Sequence, residues 1–186
     1  MKTLILNGSP RKNGDTAAML AYLQKTLKGE MKIIRAYDGN ISPCIDCRVC
    51  RERTGCMISD GMQMVYDELK TCNNVVIASP IYFSELTGAL LNIGSRLQTY
   101  FCAQHFRKEK PLLSPKKGVV LLAGGGTGKP QKAYETAVCL MHYMNVQEIF
   151  PLICSHQTDQ VPAAEDRAVR EEIRKAAEFL NVSEMK

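Results

Sequence analysis

TLILNGSPRKNGDTA, from Thr3 to Ala17, passes from an apolar run into a polar turn and out into a helix. Thr3 to Leu6 is too brief for a helix and is followed at once by turn formers, so it reads as a buried strand. Beyond the turn, Ala17, Leu20, Leu23 and Leu27 recur at helical spacing up to Gly29, where a helix can stop. The eleven residues from Asn7 to Ala17 are many for a plain strand-to-helix turn. They contain neither GxGxxG nor GxxxxGK[ST]. They offer instead the hydroxyls of Ser9 and Thr16, the amide of Asn13, the cations Arg11 and Lys12, and glycines that let backbone N–H groups converge on a helix N-terminus. That combination suits a phosphate; the alternative is an ordinary polar turn.

The alternation continues down the chain. Met31 to Tyr37 reads as a second strand, with Lys32 and Arg35 suggesting a sheet edge. Met62 to Lys70 reads as a helix, with Asp60 and Gln63 placed like a capping box, and Val75 to Ala78 as a strand buried on both faces. Leu86, Leu90, Ile93, Leu97 and Phe101 mark one long third helix, followed by an apolar strand from Gly118 to Ala123. Ala133, Ala137, Leu140 and Met144 place a fourth helix, Ile149 to Ile153 a fifth strand, and Val169, Ile173, Ala176 and Leu180 a last helix. Five strands alternating with five helices call for an α/β fold: a doubly wound, five-stranded parallel sheet with helices on both faces. A chain of 186 residues fits one such domain, spanning 1–186. Ligands of these sheets sit beyond the carboxyl ends of the strands, near the point where strand order reverses.

Two further strand ends therefore matter. SPIYFSELTGALLN, Ser79 to Asn92, follows the third strand, and Pro80, Ile81, Tyr82 and Phe83 place flat apolar groups at the ligand edge. AGGGTGKP, Ala123 to Pro130, follows the fourth. There Gly124, Gly125 and Gly126 allow the backbone to come close to a ring's polar edge, a bare tight turn being the alternative. A monophosphate joined by a short chain to a planar, hydrogen-bonding ring satisfies all three loops, which describes FMN. The flavin would then carry the chemistry, and no side-chain nucleophile is needed; His105, His142 and His156 lack metal-ligand spacing.

Four of eight cysteines fall in PCIDCRVCRERTGC, Pro43 to Cys56, inside an aperiodic loop at 38–60. Such a length is unusual unless function or a bound group orders it, and a metal would supply that order. Cys44, Cys47, Cys50 and Cys56 are spaced C-x2-C-x2-C-x5-C, which suits a [4Fe-4S] cluster better than zinc, whose four-thiolate sites usually come as two separated knuckles. Thiols without a cluster are the alternative. Cys72, Cys102, Cys139 and Cys154 are scattered, as packing residues are. The apolar run at the N-terminus is too short for a leader or a membrane span, so a cytoplasmic protein without a membrane partner is expected. The net charge of +5 is spread along the chain apart from Arg107 to Lys117. That segment reads as a solvated loop, since no nucleic-acid recognition motif accompanies it.

Taken together, NGSPRKNGDT, SPIYF and AGGG resemble the NAD(P)H-dependent FMN reductase family of the flavodoxin-like fold, especially its iron-sulfur flavoprotein branch. The resemblance implies that Ser9, Arg11, Asn13 and Thr16 bind the FMN phosphate. It also implies that Pro80 to Phe83 contact the flavin, with Gly124 to Gly126 near its ring edge. It implies electrons taken from NAD(P)H and passed to a small-molecule or protein acceptor, in a homodimer or homotetramer with FMN close to a subunit interface. The iron-sulfur branch uses a compact cysteine motif for a [4Fe-4S] cluster, yet similar cysteines occur in members described only as flavoproteins. Two other readings stay open: an electron-transfer module reduced by ferredoxin without its own nicotinamide site, and a non-redox phosphate-binding domain. The chain departs from the family at Asp15, where Asn is commonest, and at Asp60-Gly61-Met62, where two acids are frequent. A carboxylate beside a phosphate is repulsive unless it points away, and Asp15 is expected to do so by capping the helix that begins at Thr16.

Overall fold

Side chains on successive strand residues face opposite ways, and both sets are apolar here. Leu4, Leu6, Val75, Ile77, Val120 and Leu122 are buried in one cluster, whereas Ile5, Val76, Ala78, Val119, Leu121 and Ala123 are buried in a second. Two cores imply two helical layers. The computed structural model describes residues 1–110 and 112–182. Its strands are β1 (Lys2–Asn7), β2 (Glu30–Arg35), β3 (Asn74–Pro80), β4 (Lys116–Gly124), β5 (Val146–Ile149) and β6 (Ile153–His156). Its helices are α1 (Asp15–Thr26), α2 (Val49–Glu52), α3 (Met62–Thr71), α4 (Gly88–Arg96), α5 (Gln98–His105), α6 (Gln131–Tyr143) and α7 (Arg167–Asn181).

All pairings are parallel, in the order β2-β1-β3-β4-β5, with β6 also pairing with β4. The chain runs outward from β1 to β2 and then returns to β3 on the other side of β1, so strand order reverses at β1 and β3. Helices α1 and α7 cover one face, with Met19, Leu20, Leu23, Ile173, Ala177 and Leu180 buried against the sheet. Residues of α3, α4 and α6 cover the other. Each fully buried aliphatic side chain contributes roughly 1.5–3 kcal/mol, so the two cores dominate stability. The i,i+3 and i,i+4 ion pairs of Arg174 with Glu171 and Glu178 lie exposed on the outer face of α7 and add little.

The doubly wound parallel sheet is as expected, and β2 is the edge strand that Lys32 and Arg35 suggested. Four local expectations are corrected. The fifth strand is two short strands flanking Phe150-Pro151-Leu152, because Pro151 has no N–H to give a ladder. The long third helix is broken at Leu97, whose N–H donates to the Gly94 carbonyl three residues back, dividing it into α4 and α5. Lys116 and Lys117 belong to no solvated loop: they open β4 and are buried. The Lys116 ammonium donates to the Ser114 carbonyl at 2.7 Å, and burial holds its pKa below the usual lysine value. Finally, the Asp60–Gln63 box is not reciprocal. Asp60 accepts from the Met62 N–H at 3.0 Å, but the Gln63 amide donates to the Ile58 carbonyl.

Candidate functional site: a phosphate-sized cleft and a thiol-lined pocket

Because every strand is parallel, every carboxyl end faces one edge, and a cleft opens there between β1 and β3. Its walls include Ser9, Arg11, Gly14, Thr16, Pro80, Ile81, Tyr82 and Gly125, enclosing about 630 Å³ together with the mouth. Helix α1 starts here with Gly14 as its N-cap and no side chain capping it. The amides of its first turn therefore present partial positive charge to the cleft, beside the Arg11 guanidinium. Ser9 is held in a local turn, its N–H donating to Asn7 Oδ1 at 2.8 Å and its hydroxyl donating to the Arg11 carbonyl at 3.2 Å. Asp15 does not cap α1. It is the first helical residue, and its Oδ1 accepts the Ala163 N–H at 2.9 Å, which turns the carboxylate towards the segment after β6.

The segment after β6 escaped the sequence reading, yet Thr158 and Asp159 line the same cleft. The Thr158 N–H donates to the Gly124 carbonyl at 3.0 Å, tying this segment to the glycine loop. A Cβ on Gly125 would meet Asp159 Oδ2 at 2.4 Å, so only glycine fits without displacing that carboxylate. The usable signal was geometric: the last strand also ends at the ligand edge. Asn13, Gly124 and Gly126 are not among the residues that line the cleft, and neither is Phe83. Phe83 and Ser84 form the tip of a tight turn closed by hydrogen bonds between Tyr82 and Glu85, both with φ in the left-handed region (52° and 62°). The turn throws the Phe83 ring into solvent, wholly exposed, with Tyr82 half-exposed beside it.

The cysteine loop forms a second pocket. Cys44, Cys47, Cys50 and Cys56 all line it, with Arg96, Thr99 and Cys102. Its order does not have to come from a metal. Arg96 on α4 is fully buried, donating to the Ser42 carbonyl (2.9 Å), to Asp60 Oδ2 (2.8 Å) and to the Ile58 carbonyl (2.9 Å). One guanidinium thereby ties both ends of the loop to the sheet-covering layer. Burial alone would raise the Asp60 carboxyl. Hydrogen bonds from Arg96 and from the Ser42 and Met62 N–H groups outweigh it and hold the group below the usual carboxylate value. At the loop's exit, a Cβ on Gly61 would come within 1.7 Å of the Gly39 carbonyl oxygen, which accounts for glycine at this departure from the family pattern.

Among the described residues no group of three or more His, Cys, Asp or Glu side chains is drawn together tightly enough to hold a metal ion. The donor chemistry nevertheless suits a thiolate-ligated cluster: four thiols share one pocket, and left-handed Asp46 and Arg48 (φ 49° and 62°) turn the chain between them. The Arg96 Nε–H, buried and without a hydrogen-bond partner, belongs to the same pocket lining, where a cationic donor favours anionic sulfur.

A doubly wound parallel sheet with an uncapped helix start, an apolar wall and a glycine loop at its switch point defines a flavodoxin-like nucleotide-cofactor protein. The chain belongs to the NADPH-dependent FMN reductase family, whose profile matches residues 1–159, and it is an FMN-dependent oxidoreductase of that family. An iron-sulfur flavoprotein of Methanocaldococcus jannaschii is 28% identical over 158 residues, covering 82% of this chain and 75% of that protein. One from Methanosarcina thermophila is 24% identical, covering 76% and 73%. A second M. jannaschii iron-sulfur flavoprotein is matched over only 48% of its length. Among solved structures, the NAD(P)H:quinone oxidoreductase of Methanothermobacter marburgensis superposes with a TM-score of 0.75 at 14% identity, covering 100% of this chain and 98% of that one. An apo NADH:FMN oxidoreductase superposes at 0.67 with 18% identity, covering 100% and 90%. Among the described residues no helix is long and apolar enough to cross a membrane.

Proposed function

We propose that the protein takes electrons from NAD(P)H and passes them to a small-molecule or protein acceptor, working in the cytoplasm as a homo-oligomer of a single FMN-binding domain. The observation that carries this reading is the uncapped N-terminus of α1 opening into the cleft that Pro80, Ile81 and Tyr82 wall on the other side. Bound FMN supplies hydride acceptance and one-electron delivery. The chain supplies position and charge. The α1 amides, Ser9, Arg11, Asn13 and Thr16 hold the phosphate, with Arg11 adding a full positive charge to the helix dipole. Pro80 to Phe83 support the ring, and Gly124 to Gly126 let main-chain groups approach its polar edge. Asp15 lines the same cleft, with one carboxylate oxygen engaged by the Ala163 N–H.

The exposed Tyr82 and Phe83 beside the cleft favour assembly of copies around it, as dimer or tetramer. In the same reading Cys44, Cys47, Cys50 and Cys56 hold a [4Fe-4S] cluster, a choice supported by their common pocket and by the names of the iron-sulfur flavoprotein relatives. That pocket also supports a second reading, in which reduced ferredoxin replaces the nicotinamide as donor. One anaerobic experiment separates them: the protein is purified yellow, its iron and sulfide are assayed, and flavin bleaching is followed with NADPH, NADH or reduced ferredoxin. Rapid bleaching by a nicotinamide supports the first reading. Bleaching by ferredoxin alone overturns it, and stoichiometric flavin with no iron after reconstitution removes the cluster.

A further inference from the structure

Cys102 belongs to none of the roles above, yet its thiol is a close neighbour of one of the loop cysteines. Cys102 is buried on α5, and its Sγ lies 3.5 Å from the Sγ of Cys50 on α2, within S–H···S hydrogen-bond distance. The approach is held by two contacts. The Arg107 guanidinium donates to the Cys50 carbonyl and is itself fixed by Glu109 at 2.7 Å, and Arg51 stacks its guanidinium 4.4 Å from the centroid of Phe106. Helix α2 is thereby clamped onto α5 at the residue that must also serve the proposed cluster. Both thiols line the same pocket, but Cys50 is only partly buried whereas Cys102 is 1% exposed.

We propose that Cys50 and Cys102 form a reversible disulfide that withdraws Cys50 from the loop's set of metal-ligating thiols. A low-molecular-weight disulfide such as oxidised glutathione is the oxidant. The Cys50 sulfur, having released its proton, attacks one sulfur of that disulfide, giving a mixed disulfide and one glutathione thiolate that takes up the proton. The Cys102 sulfur then attacks Cys50 Sγ, its proton leaving with the second glutathione. Two protein thiols are oxidised by two electrons, and one external disulfide is reduced to two thiols. Exposure fixes the order: the oxidant reaches Cys50, and buried Cys102 resolves. Closure requires the sulfurs to approach from 3.5 Å to a bond of about 2.05 Å, a movement of side chains already adjacent.

The test takes the full chain, metal-free and reduced, exposes it to oxidised glutathione, blocks remaining thiols and digests with trypsin. Cleavage separates Val49–Arg51 with Cys50 from Leu97–Arg107 with Cys102, while Cys44 and Cys47 share 36–48 and Cys56 lies in 54–70. The expected product is Val49–Arg51 linked to Leu97–Arg107, reversed by dithiothreitol, and replaced in Cys102→Ala by Cys50 carrying glutathione. Pairing of Cys50 with Cys44, Cys47 or Cys56, or retention of both free thiols, overturns the proposal. A second arm, which rests on the cluster reading, adds iron and sulfide to protein with and without prior oxidation. Iron uptake lost on oxidation and regained once dithiothreitol opens the Cys50–Cys102 cross-link supports the withdrawal of Cys50; uptake unchanged in cross-linked protein overturns it. Failure of the reduced protein to take up iron sinks the cluster reading alone, because the cross-link is read by mass without iron.

Discussion

Arg96 shows how much a single side chain can decide. Its guanidinium is fully buried and satisfied mainly by the Asp60 carboxylate and two carbonyls of the cysteine loop. Removing one partner of a buried pair leaves the other charge stranded, so Arg96→Met should lower unfolding stability by about 3–5 kcal/mol, measured by denaturant titration. Asp60 gives the pair a pH signature. Its carboxyl titrates lower in the folded chain than the unfolded value of about 3.9, so its contribution is complete above that value and is lost as pH falls towards the lowered one. Asp60→Asn should therefore flatten the acid limb of the stability curve while lowering stability at neutral pH; an unchanged acid limb would count against the assignment. Asp15 makes the opposite case. An asparagine at this position can still accept the Ala163 N–H, so Asp15→Asn should keep or tighten FMN binding in a fluorescence titration. Asp15→Ala should release the segment after β6 and cost about 0.5–1.5 kcal/mol of stability.

At the scale of elements, the start of α1 and the loops around it make the cleft, and their legibility in the sequence was uneven for physical reasons. NGSPRKNGDT was readable as a turn suited to a phosphate because glycines, hydroxyls and cations must lie close in sequence to serve one helix N-terminus. Thr158 and Asp159 were not legible, since they reach the cleft only through the pairing of β6 with β4, a contact between segments distant in sequence. The break in the last strand could have been read from Pro151, whereas the break at Leu97 lies in an uninterrupted helical pattern of apolar residues. Phe83 stands at the outward tip of a tight turn that the apolar character of IYF concealed. The glycine loop yields its own test. Gly125→Ala forces Asp159 to move within the cleft while leaving both cores intact. FMN affinity should fall, with unfolding stability changed by no more than about 1 kcal/mol; a large stability loss at unchanged affinity would contradict the placement.

For the molecule as a whole, the alternation of doubly apolar strands with amphipathic helices made the sheet and its two layers readable, because burial on both faces leaves a continuous signal in the sequence. The cysteine loop was readable as four thiols at metal-ligand spacing, but not its anchor, which stands on α4, far along the chain from the cysteines. The exposed Phe83 tip belongs to this scale too: Phe83→Gly suits the left-handed backbone there and removes the exposed ring. If copies associate through it, the variant should elute at a smaller size without loss of thermal stability, which light scattering during size-exclusion chromatography would measure. The Arg96 anchor has one more consequence, for assembly. In many small metalloproteins the metal folds the chain, so loading and folding are one event. Here the loop's two ends are fastened by the protein itself, so a chain that binds the proposed cluster would be completed first and fitted with it afterwards, stripped and refitted without being unmade.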